Sequence, residues 1–188
     1  MIERLISENS FALLVSNGEE GLEASHLPFE FDAKRQVLLS HMARANSQWR
    51  RFAGQEVLTV FSGPHAYISP SWYQTQLAVP TWNYLAVHVY GIPRVVEDDA
   101  QTEALLERLI DKHESQRNPC WRMNAPDDWQ QNLRKAIVAF EIEITRIEAK
   151  AKLSQNRPDA DVAGVIAGLE TEDQSDLASW IRLLSSKK

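Results

Sequence analysis

The sequence predicts a mostly β fold with helical additions (α+β), a barrel or sandwich, and three observations carry that expectation. Six or seven apolar segments of strand length are separated mostly by short polar turns. Residues 138–145 alternate apolar and polar side chains without a break, while helical spacing is confined to a few stretches. No βαβ alternation, internal repeat or Gly/Ser linker divides the chain.

Residues 2–8 suit a short helix, and the apolar run 11–16 reads as a buried strand closed by the turn formers of 17–21. Strands are expected at 22–31 and 37–42, joined by the polar turn 32–36. Residues 46–52 suit a short helix with Asn46 as N-cap, and 55–61 return to the sheet. The Pro-, Ser- and aromatic-rich segment 63–80 is expected as a loop. Residues 81–96 are β-branched and aromatic, with Val87, Val89 and Gly91 on one face and His88, Tyr90 and Ile92 on the other. Asp98 then caps a helix whose stripe is Leu105, Leu106, Leu109, Ile110 and His113. A short helix at 127–136 precedes the strand built on Val138, Phe140, Ile142 and Ile144. Two amphipathic helices close the chain, one on Val162, Val165, Ile166 and Leu169, the other on Leu177, Trp180, Ile181 and Leu184. The expected organisation is a domain over 1–157 and a helical extension over 158–188 packed on it.

At 188 residues, with 44% hydrophobic and 24% charged side chains, the chain has the makings of one sizeable core. Acids among the first eight residues do not read as a signal peptide, and no apolar run reaches a membrane span, so the expected location is the cytoplasm. Twenty Lys and Arg stand against 26 Asp and Glu, a net charge of −6 that argues against tight nucleic-acid binding. The nearest basic cluster is Arg44, Arg50 and Arg51. Cys120 is the single cysteine, so no intrachain disulfide is expected and its role is structural or incidental.

The five histidines lack metal-ligand spacing, and no metal site is expected. A Gly-x-Ser-x-Gly elbow and a phosphate-cradling glycine loop are both missing, and no catalytic residue is assigned. Three segments remain. Residues 40–49, SHMARANSQW, place imidazole, guanidinium and amide groups where a strand runs into a helix, a junction that suits a phosphate or simply a capped surface helix. Residues 65–73 and 79–91 gather large aromatics among short polar side chains, as a slot for a planar heterocycle or as a core cluster. Residues 152–157, KLSQNR, form a dense run of donors or a polar connector after the alternating strand.

The blocks HMARAN (41–46), YISPSWY (67–73), VPTWNY (79–84) and KLSQNR (152–157) occur in one order along the chain, with EASHLPF (23–29) and GVIAGL (164–169) outside them. In these blocks the chain resembles the PaiB family of FMN-binding negative transcriptional regulators, over most of its length. The family is similar to the FMN-binding split β-barrels, which include pyridoxamine phosphate oxidases and flavin reductases and hold FMN at a dimer interface. The resemblance implies a split barrel, FMN as cofactor and a homodimer. By the same resemblance His41, Arg44 and Asn46 meet the phosphate, and Trp72, Trp82 and Tyr84 flank the ring. Thr81 and Asn83 bond its polar edge, with Lys152, Gln155 and Arg157 from the partner subunit or the same rim. The short, lysine-free run 74–78 departs from the family's longer loop. The regulator role rests on the resemblance, since no basic recognition helix is legible and Glu170, Glu172, Asp173 and Asp176 make the terminal helices acidic, so direct DNA binding is not expected. The alternative is an FMN-dependent oxidoreductase or flavin reductase using a reduced nicotinamide.

Overall fold

The computed structural model describes residues 1–185; the last three residues of the expected 158–188 extension lie outside them. Six strands form a closed antiparallel barrel: β1 (Phe11–Asn17), β2 (Leu22–Asp32), β3 (Val37–Ala43), β4 (Val57–Ile68), β5 (Thr81–Val95) and β6 (Ile137–Lys152). Their order around it is β1-β2-β3-β6-β5-β4. The helices are α1 (Ile2–Glu8), α2 (Asp99–Glu114), α3 (Asp127–Lys135), α4 (Asp159–Thr171) and α5 (Ser175–Ser185).

The chain forms two compact units, Met1–Phe61 with His88–Glu148, and Ser62–Val87 with Ala149 onward. In the first, β1 pairs with β2 from Phe11↔Pro28 to Asn17↔Leu22, and β3 pairs with β6 from Val37↔Glu143 to Ala43↔Ile137. Inward-facing residues of these strands make the core: Phe29 packs edge-on against Phe61 and Phe140, and Phe52 lies 4.9 Å from Phe140 between ring centroids. Ala139 sits on the opposite face of β6 yet is buried, because α2 covers it through Leu105 and Leu109 beside Val37 and Leu39. The alternation of β6 thus gives two buried faces in its first half.

In the second unit α4 and α5 pack through Val165, Leu169, Leu177 and Ile181, all buried, and Arg182 pairs with Glu170. The α2 cap is the expected one, with Asp98 Oδ1 accepting from the Gln101 amide at 2.8 Å.

Three boundaries differ from the sequence expectation. Strand β4 runs on to Ile68, six residues into the segment expected as a loop. Pro64 interrupts the signal there, but Ala66 and Ile68 resume a buried, alternating face behind it. Strand β6 extends to Lys152, past the expected end; there Ile147, Ala149 and Ala151 alternate with Glu148, Lys150 and Lys152, a pattern made faint by alanine, a poor strand former. The helix expected at 46–52 is a 3-10 turn over Ser47–Arg51, whose N-cap is the predicted Asn46.

Candidate functional site

In the second unit, the start of β5 and the end of β6 bring together residues more than 70 positions apart. Lys152 donates its ammonium to Thr81 Oγ1. Asn83 is fully buried and donates Nδ2 to Ser154 Oγ at 2.9 Å, while its Oδ1 has no hydrogen-bond partner among the described residues. Ser154 holds φ at 61°, a left-handed conformation that a side chain adopts only under constraint. Gln155 supplies that constraint: its Oε1 accepts from the Leu153 amide at 2.7 Å, and its amide donates to the Ala151 carbonyl. The Arg157 amide closes the turn on the Ser154 carbonyl at 3.0 Å. KLSQNR is therefore a built turn that fixes Ser154 behind Asn83.

Trp82, on the opposite face of β5 from Asn83, is 54% exposed. His65 and Tyr67 lie beside it, each with its ring centroid 6.2 Å from the indole. Tyr84 follows on the same strand face, half-buried. Trp82 and Tyr84 thus present an aromatic surface on the face of β5 opposite Thr81 and Asn83.

Trp72 ends the 3-10 turn Pro70–Trp72 and packs on α4. A Cβ at Gly168 would lie 2.3 Å from the Trp72 ring, and one at Gly164 would lie 2.0 Å from its carbonyl oxygen. Only glycine permits this approach. The Arg157 guanidinium stands 4.4 Å over the Tyr73 ring. Asp161, buried in the first turn of α4, accepts from the amides of Gln74 (2.8 Å) and Thr75 (3.1 Å) and from Thr75 Oγ1 (2.7 Å). The Thr75 hydroxyl, then the two amides and Arg157, hold its carboxyl below the usual aspartate range.

In the first unit, His41 lies near the end of β3, and Arg44 and Asn46 occupy the corner after it. Burial lowers the imidazole pKa of His41, whose Nδ1 has no hydrogen-bond partner among the described residues. Arg44 donates Nε to the Lys135 carbonyl and Nη2 to the Ile137 carbonyl, both at 2.7 Å, so much of its guanidinium ties β3 to the entry of β6. Arg44 and Lys135 line a cavity of about 870 Å³ together with Trp49, Glu97, Asp99, Glu103 and Arg134. Asn46 caps the 3-10 turn by accepting from the Gln48 amide at 2.9 Å and donates to Ser25 Oγ at 2.8 Å.

The structure thus joins Thr81 to Lys152, sets Asn83 on Ser154 within the turn built by Gln155 and Arg157, and seats Trp72 on α4. The sequence reading missed His65, Tyr67, Ser154 and Asp161 as members of the second unit's site. Tyr67 and Ser154 sit inside motif blocks and His65 lies two residues before one, so all three were within reach. Asp161 gives no signal, because an acid in a helix's first turn is ordinary complementarity to the helix dipole.

The family model described as "Putative FMN-binding domain" matches residues 1–146. The chain belongs to this FMN-binding family. Within the family, the Protease synthase and sporulation protein PAI 2 of Bacillus subtilis (strain 168) is 40% identical over 191 residues, covering 99% of this chain and 91% of PAI 2. An uncharacterized protein of Saccharomyces cerevisiae is 41% identical over 106 residues, 52% of this chain and 63% of its own. The resemblance to the PaiB family is therefore a membership. Among solved structures, the FAD and heme binding protein of Mycobacterium smegmatis superposes with a TM-score of 0.64 at 16% identity, covering 86% of this chain and 75% of its own. The flavocytochrome Anf3 of Azotobacter vinelandii gives 0.60 at 13% identity, over 79% and 64%. At these identities the likeness is one of fold, the split barrel that the family blocks implied.

Proposed function

We propose that this member of the FMN-binding family binds FMN, with Thr81, Asn83 and Lys152 reading the polar edge of the flavin ring. The observation that carries the reading is the Asn83 side chain, a buried amide whose carbonyl lacks a partner, set beside the Thr81–Lys152 pair. The pyrimidine edge of a flavin offers one N–H donor between two carbonyl acceptors. A free amide oxygen together with an ammonium and a hydroxyl is the complementary set. The residues present therefore fit the group. Trp82 and Tyr84 offer the apolar surface that a flat ring buries. When bound, the flavin supplies the electron-transfer chemistry; the chain orients it and sets its electrostatics.

Arg44, with His41 and Asn46, is proposed to meet the phosphate. Two of the three guanidinium nitrogens of Arg44 are held by carbonyls, which supports a pre-oriented cation more than a free one. The cavity that Arg44 lines also carries Lys135, beside Glu97 and Asp99 and an Arg134 paired with Glu103 at 3.0 Å, so Lys135 is the further cation it offers an anion.

The active species is proposed to be a cytoplasmic homodimer. Leu77, Val79 and Trp82 are 95%, 69% and 54% exposed within six residues of one unit, apolar surface of the kind a two-fold partner covers. PAI 2 is named a protease synthase and sporulation protein, which is in keeping with a regulatory role of the PaiB type. With 26 acids against 20 bases, that role is proposed to run through the flavin or a protein partner more than through direct DNA contact.

The test compares ligands. Thr81→Val and Lys152→Met remove ring-edge donors, so each weakens FMN and riboflavin alike, by about 3- to 10-fold for a neutral hydrogen bond and more for the ammonium. Losses confined to FMN would place these residues on the phosphate and contradict the assignment.

A further inference from the structure

We infer that Asp161 is a positioning residue: from α4 it pins the segment Tyr73–Thr75 and thereby fixes Thr81, Trp82 and Asn83 at the start of β5. The functional meaning of this clamp rests on the flavin reading above, but its geometry does not.

Four consecutive residues are tied to the same stretch of chain. The Trp72 ring and carbonyl rest on Gly168 and Gly164, which share one face of α4 at i, i+4 spacing. Tyr73 lies under Arg157, and Gln74 and Thr75 are held by the Asp161 carboxylate through three hydrogen bonds. Six residues later Thr81 is held by Lys152, and Asn83 by Ser154. Both feet of the loop between Thr75 and Thr81 are therefore anchored on residues 152–161.

A loop this short transmits the position of one foot to the other, since five intervening residues leave few conformations once both ends are fixed. The tip itself makes no such contacts, and Leu77 is 95% exposed. The carboxylate suits the task because one oxygen accepts from two amides and the other from a hydroxyl, each bond charge-assisted; an amide in its place keeps the geometry only without the charge and with the hydroxyl bond reversed. Asp161 touches neither end of the proposed ligand-reading set. Its effect on Thr81 and Asn83 passes through the loop, and the C-terminal helices become part of the site's scaffold.

The experiment is hydrogen exchange by mass spectrometry on the full chain, with FMN affinity measured in parallel. Thr75→Val removes one hydrogen bond from an exposed position, Thr75→Ser retains it, and Asp161→Asn weakens all three. The expected result is faster exchange in 73–77 and in 81–83 for Thr75→Val, more so for Asp161→Asn, with Thr75→Ser near wild type and residues 137–142 unchanged. FMN affinity should fall about tenfold in Asp161→Asn and recover in Thr75→Ser relative to Thr75→Val. Faster exchange limited to 73–77, with 81–83 as in wild type, would overturn the inference. Wild-type protein that binds no FMN would defeat the flavin reading, while exchange at 81–83 would still decide the clamp.

Discussion

Asn83 Nδ2 donates to Ser154 Oγ at 2.9 Å, and the two residues, 71 positions apart, are both buried. The bond links the start of β5 to the strained residue two positions beyond β6, in the turn that Gln155 holds through Leu153 and Ala151. A side-chain contact of this kind is both a stability device and a way to hold the Asn83 carbonyl in one orientation.

Asn83→Ala should therefore cost about 1–3 kcal/mol, the range for leaving a buried hydroxyl without its partner. Urea unfolding measures it. Asn83→Asp keeps the shape and reverses the bond's polarity, with Ser154 donating, so it should cost less than alanine if deprotonation is suppressed at mildly acidic pH.

Gly164→Ala and Gly168→Ala separate helix propensity from packing. In a free helix each would gain about 1 kcal/mol. Here a Cβ at Gly164 meets the Trp72 carbonyl at 2.0 Å and one at Gly168 meets the Trp72 ring at 2.3 Å. Both variants should unfold at lower urea than wild type, by about 1–3 kcal/mol for an overpacked contact. Gly164→Ala should lose more, because backbone yields less than a ring. A gain in stability for either would mean that Trp72 does not rest on α4.

Arg44→Ala should act in two ways. Losing the bonds to the Lys135 and Ile137 carbonyls costs about 0.5–1.5 kcal/mol of stability at an exposed site. Losing the cation weakens FMN by at least about tenfold while riboflavin changes little. Equal losses for the two ligands in fluorescence titrations would remove Arg44 from the phosphate.

Burial depresses the pKa of His41 below its ordinary 6.5, so folding favours the neutral imidazole. Above that value the group contributes no pH dependence. As pH falls through about 6.5 the unfolded chain takes up the proton first, and stability declines by at most about 1.4 kcal/mol per pH unit until the folded pKa is passed. His41→Gln should decline less than wild type between pH 7 and 5. Parallel curves would mean that the imidazole is as solvated folded as unfolded.

Much of the barrel was legible because its strands are half-buried and alternate, as Val87, Val89 and Gly91 do. The caps at Asn46 and Asp98 were equally plain. What escaped the pattern has physical reasons. Pro64 masked the continuation of β4, and the alternation at the end of β6 is faint because its apolar positions are mostly alanine. Among site residues, the family blocks named Thr81, Asn83 and Lys152, and the structure brings them and Ser154 into one cluster. It also shows tasks that sequence could not reveal, such as Trp72 seated on two glycines of α4. Asp161 was invisible because its partners are mainly backbone amides nearly 90 positions away.

The central claim is that this chain binds FMN through its own residues, and the most direct measurement is a fluorescence titration of FMN with the purified wild-type protein. Saturable quenching at micromolar or lower concentration is predicted, with FMN preferred over FAD and one flavin per subunit of a dimeric species. A colourless protein that leaves FMN fluorescence unchanged at tens of micromolar would contradict it.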